Sequence, residues 1–129
     1  CDVLNADGGT RCASITGAWV ALRLAFGKLV ANRVLQRMPL NGQVAAVSCG
    51  LTSAGAVLDL DYAEDSTALA DTNFVLSADH RIVEIQATAE GTPFAEDAFT
   101  TLFTLARQGA GELFAAQLNA IHTAEHPTP

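Results

Sequence analysis

The chain has 129 residues, half of them apolar, enough for one folded domain and too apolar for a disordered segment. Fourteen acidic residues against seven Lys and Arg leave a formal net charge of −7, so the chain as a whole has no positive field for wrapping a polyphosphate. No apolar run reaches the roughly eighteen residues of a membrane span, and no charged segment precedes an apolar one as in a secretory signal, so a cytoplasmic chain is expected.

In chain order, a short initial strand in Cys1-Asp2-Val3-Leu4 is expected to feed a Gly-rich turn and then a long helix. Ile15, Ala18, Trp19, Leu22, Phe26, Leu29 and Val30 recur at three- and four-residue steps, one stripe of a helix that ends before Pro39. Val44 to Cys49 and Ala56 to Leu60 are short apolar runs separated by Ser53-Ala54-Gly55, the pattern of a hairpin. A second hairpin is expected from Thr72 to Ser77 and Ile82 to Ala87, with Asp79 and His80 near its turn. In its second arm Val83, Ile85 and Ala87 alternate with Glu84, Gln86 and Thr88, so one face is apolar and the other polar. Phe99, Leu102, Phe103 and Ala106 form another helical stripe, which Gly109 and Gly111 interrupt before Leu113, Phe114, Leu118 and Ile121; two consecutive helices are expected. Residues 1–122 thus read as a layered α/β arrangement, followed by a flexible tail over 123–129. Cys1, Cys12 and Cys49 are odd in number and lack Cys-x-x-Cys spacing, as expected of reduced thiols. The chain opens on Cys1 and its only methionine is Met38, which suggests a cut chain.

Two clusters carry chemistry. Asp7-Gly8-Gly9-Thr10-Arg11 lies at the start of a long helix, where free N–H groups and the positive dipole end favour an anion. Thr10 adds a hydroxyl donor and Arg11 a forked guanidinium suited to a phosphate oxyanion; without a ligand, the same segment is a tight turn. The Gly-Lys-Ser/Thr ending of a P-loop is absent. The second cluster, Asp59-Leu60-Asp61-Tyr62-Ala63-Glu64-Asp65, crowds four carboxylates, and strand alternation would put Asp59 and Asp61 on one side. Either a divalent cation sits there, or one carboxyl keeps a proton near neutral pH, or the segment is an acidic turn with capping aspartates. A calcium loop of the EF-hand type fails, because Glu64 stands where glycine is needed. His122 and His126 share a helical spacing that permits a metal, but no third ligand stands nearby, and a solvated tail is the reading taken. Trp19 reads as core packing rather than a base-stacking platform, and Arg23, Lys28, Arg33 and Arg37 gather positive charge along one helix, facing RNA, solvent or a partner subunit.

Cys1-Asp2-Val3-Leu4 running into Ala6-Asp7-Gly8-Gly9-Thr10-Arg11 and Ser14-Ile15-Thr16-Gly17-Ala18 closely resembles the ribonuclease PH family of phosphorolytic 3′–5′ exoribonucleases. Leu58-Asp59-Leu60-Asp61-Tyr62, Glu64-Asp65-Ser66, Asp71-Thr72-Asn73 and Val83-Glu84-Ile85-Gln86-Ala87-Thr88-Ala89-Glu90-Gly91 look like that family's later motifs in the same order. The resemblance spans approximately Cys1 to Ile121 and corresponds to the C-terminal half of a family member. It implies a ribonuclease PH-like α+β fold, a mixed β-sheet packed against helices, of which the N-terminal half is missing. It also implies an enzyme that uses inorganic phosphate as co-substrate to trim the 3′ ends of transfer RNA precursors, releasing nucleoside diphosphates. Gly9, Thr10 and Arg11 match the family's phosphate-binding motif. Asp59 and Asp65 match its acidic pair, with Asp65 as general acid and Mg2+ near both. The implied assembly is a homo-hexamer built as a trimer of dimers, with RNA as partner and no membrane. The alternative is a non-catalytic ring or RNA-binding subunit of the exosome-like type.

Overall fold

The computed structural model describes residues 1–127. Three helices and four strands follow in the order α1 (Thr10–Ala31), β1 (Val44–Thr52), β2 (Gly55–Leu58), α2 (Tyr62–Asp65), β3 (Ala70–Ser77), β4 (Ile82–Ala89) and α3 (Glu96–Glu125). Both expected hairpins form, and the strands make one sheet in the order β2-β1-β3-β4. Every pairing is antiparallel, a correction to the mixed sheet expected. The reason lies in the connections: β1–β2 and β3–β4 are joined by short turns, which can only reverse the chain, and β3 returns beside β1 from the far edge.

Alternation along the strands decides which residues meet which helix. On one face Val47, Cys49, Phe74 and Leu76 are buried with Leu102, Ala106 and Ala110 of α3. Phe74 packs against Phe99 and Phe103, with ring centroids 6.0 and 5.7 Å away. On the other face Ala46 and Val75 pack with Cys12 of α1. The two helices meet at the start of β1, where the buried Gln117 Nε2 donates to the carbonyls of Thr16 and Val44, and its Oε1 accepts from Gln43.

Four expectations are corrected by packing. Cys1 to Leu4 is not a strand: it has no ladder partner, and Leu4 is 99% exposed. Gly109 and Gly111 do not divide α3, which is one helix of 30 residues. A Cβ on Gly109 would stand 2.8 Å from Leu58 Cδ1, so this glycine lets the helix approach β2 rather than ending it. Val83 does not join Ile85 on the apolar face. Val75 pairs with Glu84 and Leu76 with Ile82, so Val83 is the extra residue of a bulge and is 60% exposed. Lastly, α1 is by length and composition apolar enough to cross a membrane, because Arg23 interrupts the apolar run without making the average polar. None of that apolar stretch is fully buried, and Leu22 and Leu29 of the expected stripe are exposed, yet one side of α1 lies on the sheet: Thr16 Oγ1 donates to the Ala46 carbonyl and accepts from the Ala46 N–H, while Trp19 Nε1 donates to the Gly42 carbonyl.

The helix α1 closes at Ala31, so Arg33 and Arg37 lie beyond it, and Arg23 pairs with Glu125 at 3.4 Å. At the other end α3 continues past residue 122 to Glu125, and residues 128–129 of the expected tail lie outside the described residues.

Candidate functional site

The Gly-rich segment and the acidic segment are some fifty residues apart in sequence, and backbone contact brings them together. Asp7 Oδ1 accepts from the N–H of Gly8 at 2.9 Å and from the N–H of Tyr62 at 2.8 Å, so one carboxylate ties the turn before α1 to the first residue of α2. Those two bonds hold the Asp7 carboxyl below its ordinary pKa, the Tyr62 bond contributing most. Gly8 permits the approach: a Cβ there would stand 2.1 Å from the Leu60 carbonyl oxygen. Gly9 then forms the N-cap of α1 with φ +68°, a left-handed conformation that favours glycine, and no side chain caps the helix.

Beyond Gly9 the helix end presents its free donors. Thr10 Oγ1 donates back to the Asp7 carbonyl at 2.8 Å, which closes the turn. Arg11 Nη2 donates to both carboxylate oxygens of Glu84 at 2.8 Å, anchoring the guanidinium to β4 by one nitrogen. Cys12 Sγ donates to Asn73 Oδ1, and Asn73 Nδ2 donates to Asp71 Oδ2 at 3.3 Å, linking the first turn of α1 to β3. Burial pushes the Cys12 thiol up to about 11 and the Cys49 thiol to about 12, so both stay protonated near neutral pH, as expected of reduced, unreactive thiols.

The four crowded carboxylates separate into two roles. Asp61 Oδ1 accepts from the Glu64 N–H and Glu64 Oε2 accepts from the Asp61 N–H, a capping box that starts α2 and engages both side chains. Asp59 does not alternate with Asp61 in a strand. It follows β2 with φ +58°, and its N–H donates to the Ser48 carbonyl at 2.8 Å. Its carboxylate faces the helix end, with Oδ1 3.8 Å from where a Cβ on Gly9 would stand. Asp65 ends α2 and is a charged neighbour of Asp71. The Asp71 carboxyl is raised above its ordinary pKa, by burial first and by repulsion from Asp65 second.

Of the five residues singled out from the sequence, Gly9, Thr10, Arg11 and Asp59 lie around one helix end, while Asp65 is linked to it only as a charged neighbour of Asp71. Gly9 and Asp59 are in close approach, and Arg11 and Asp65 both neighbour the Asp71–Asn73–Cys12 chain. Sequence reasoning gave no role to Glu84, Asp71 or Ser48. Glu84 was legible only as a polar-face residue of an amphipathic strand, and its partner Arg11 is 73 positions away. The rings of His122 and His126 lie 4.8 Å apart, but no group of three or more potential metal ligands occurs among the described residues.

The family model for the 3′ exoribonuclease family, domain 2, matches residues 42–109. Over 121 residues the chain is 56% identical to Ribonuclease PH from two strains of Cereibacter sphaeroides, covering 94% of this chain and 51% of each relative. The chain thus spans about half the length of the curated relatives it matches. Its fold is similar to that of rice Rrp46, with a TM-score of 0.71 at 15% identity over 93% of this chain and 51% of that one. It is also similar to an archaeal exosome core, with a TM-score of 0.54 at 18% identity over 62% of this chain and 32% of that one. A family match that runs from the segment before β1 into α3, over more than half of the chain, establishes that this protein belongs to the 3′ exoribonuclease family.

Proposed function

We propose that this chain supplies half of a phosphate-dependent 3′–5′ exoribonuclease, which trims transfer RNA precursors in the cytoplasm and releases nucleoside diphosphates. The observation that supports this reading is the Asp7 carboxylate, which fastens an uncapped helix end, of the kind that suits an anion, to an acidic loop. Identity of 56% to Ribonuclease PH supports the same class of reaction. Phosphate is the nucleophile: one of its oxygens attacks the phosphorus of the last phosphodiester, the bond to the preceding 3′ oxygen breaks, and that oxygen takes up a proton. Gly9, Thr10 and Arg11 hold the phosphate through backbone N–H groups and the guanidinium N–H groups that Glu84 leaves free, while the single Thr10 O–H, expected from the sequence to be a phosphate donor, stays on the Asp7 carbonyl. Asp65 gives the proton as general acid, with Asp59 beside the helix end.

Mg2+ suits the donor set, because it takes one or two carboxylates and fills the rest of its shell with water and substrate phosphate. Asp59 and Asp65 would hold it, and when bound it screens the repulsion between phosphate and RNA. RNA is the partner, a homo-hexamer built as a trimer of dimers is the assembly, and a segment equivalent to the relatives' remaining half completes the site. One observation favours the second reading, a non-catalytic ring or RNA-binding subunit of the exosome-like type: Arg11 is already engaged by Glu84.

The test joins this sequence to the remaining half of a Cereibacter sphaeroides Ribonuclease PH and supplies RNA with phosphate. Nucleoside diphosphates are expected, and Asp65→Ala is expected to abolish them while leaving the circular dichroism spectrum unchanged. Monophosphates made without phosphate, or near-normal turnover by Asp65→Ala, would refute the assignment. An inactive but folded protein that still binds RNA would select the second reading.

A further inference from the structure

Ser48 sits in the middle of β1 on the face that carries α1, and it is 2% exposed. Its Oγ is the one buried side-chain oxygen or nitrogen among the described residues without a hydrogen-bond partner. The neighbouring buried polar groups are all satisfied: Thr72 Oγ1 donates to the Cys49 carbonyl at 2.6 Å, and Gln117 makes three bonds. An unpaired buried hydroxyl destabilises a fold, so a satisfied interior with one exception asks what the exception serves.

The direction of the hydroxyl answers part of this. A Cβ placed on Gly9 would stand 3.1 Å from Ser48 Oγ and 3.8 Å from Asp59 Oδ1, so the hydroxyl is aimed at the N-cap of α1. That helix is 22 residues long, no side chain caps it, and the N–H groups of Thr10, Arg11 and Cys12 have no acceptor within the helix. Two kinds of donor thus face the N-cap, backbone N–H groups at a positive dipole end and an unused O–H, while the Arg11 guanidinium is held toward Glu84.

We infer that Ser48 is a further ligand-contacting residue of this site, its hydroxyl donating a hydrogen bond to an oxygen of an inorganic phosphate or phosphoryl group seated against Gly9. The inference rests on the phosphate-binding reading above and adds to it a residue that the motif does not contain. The helix end and the hydroxyl are donors suited to an oxyanion, while the Asp59 carboxylate is the group that would take a cation, so the titration with magnesium separates the two. Glycine at position 9 serves this arrangement twice, by its left-handed φ and by omitting a Cβ that would press on the buried hydroxyl at 3.1 Å.

The experiment compares wild type, Ser48→Ala and Ser48→Cys of this sequence joined to the remaining half of a Cereibacter sphaeroides Ribonuclease PH, by thermal unfolding and by calorimetric titration with inorganic phosphate alone and with magnesium chloride alone. Ser48→Ala deletes a hydroxyl that nothing pairs with in the free protein, so its midpoint should equal or exceed that of wild type. Its phosphate dissociation constant should rise about tenfold, the loss of one hydrogen bond to a charged acceptor. Ser48→Cys, a near-isostere with a weak donor, should fall between. A hydroxyl with a purely structural role would lower the midpoint and leave phosphate affinity alone. Saturable phosphate binding of equal strength in wild type and Ser48→Ala would overturn the role of Ser48 and leave the phosphate site standing. Magnesium affinity that falls on its own in Ser48→Ala would overturn it in favour of a cation ligand. Absence of saturable phosphate binding in wild type would overturn the site itself and the inference with it.

Discussion

Gly8→Ala tests whether the approach of the two motifs depends on the missing side chain. A methyl group at position 8 would stand 2.1 Å from the Leu60 carbonyl oxygen and 2.7 Å from the Asp61 carbonyl carbon, both backbone atoms that no rotamer change can move. Carbon and oxygen rest at about 3.3 Å or more, so the turn and the acidic loop must part by roughly 1.2 Å. The bond from the Tyr62 N–H to Asp7, now 2.8 Å, would then open to about 4 Å and be lost. Overpacking of this kind costs about 1–3 kcal/mol, which in a chain of this size lowers the unfolding midpoint by roughly 3–10 °C. Activity should suffer more than stability, because a displacement of about 1 Å between reacting groups can cost on the order of a hundredfold in rate. Differential scanning calorimetry of the isolated chain gives the first number, and phosphorolysis by the joined full-length protein gives the second. Gly17→Ala is the control, since its Cβ meets nothing within 4 Å and replaces a helix-interior glycine. If Gly8→Ala unfolds at the wild-type midpoint and turns RNA over at the wild-type rate, the turn does not set the spacing of the site.

Two further outcomes follow from the same geometry. The Asp71 carboxyl is raised above 3.8, so the native state holds this proton more tightly than the unfolded chain and its ionisation destabilises the fold as pH rises. Asp71→Asn should therefore raise the unfolding midpoint at pH 7, with the advantage shrinking to nothing below about pH 4, where the unfolded carboxyl is also protonated; equal midpoints at pH 7 would contradict this. Gly111 meets nothing within 4 Å in the interior of α3, so Gly111→Ala should stabilise the chain by about 0.5–1 kcal/mol in urea unfolding, and a loss of stability would refute a continuous helix there.

How much of the site could be read beforehand depended on the range of the forces involved. The sequence by itself determined the features that rest on local chemistry. The long helix α1, the β-branched runs around Ser53-Ala54-Gly55 and Asp79-His80, and the Gly9-Thr10-Arg11 segment at a helix start need only backbone propensity and side-chain periodicity, whereas the expected stripe of α1 is only partly covered, Leu22 and Leu29 being exposed. The acidic loop was equally legible as a cluster, yet not the division of labour inside it. Asp61 and Glu64 are consumed by a capping box, and Asp59 turns left-handed toward Gly9, because the backbones of Gly8 and Leu60 press together there.

Only the tertiary structure decided the rest. It paired Arg11 with Glu84, raised the pKa of Asp71 through burial beside Asp65, and left the Ser48 hydroxyl unpaired beneath a helix end. It also kept α3 whole through two glycines, since packing against Leu58 outweighs a propensity penalty of about 1 kcal/mol per glycine. Conversely, it denied Cys1 to Leu4 the strand that their apolar character suggested, because a strand exists only with a hydrogen-bonded neighbour. Each of these outcomes depends on contacts between residues distant in the chain, which local pattern does not encode.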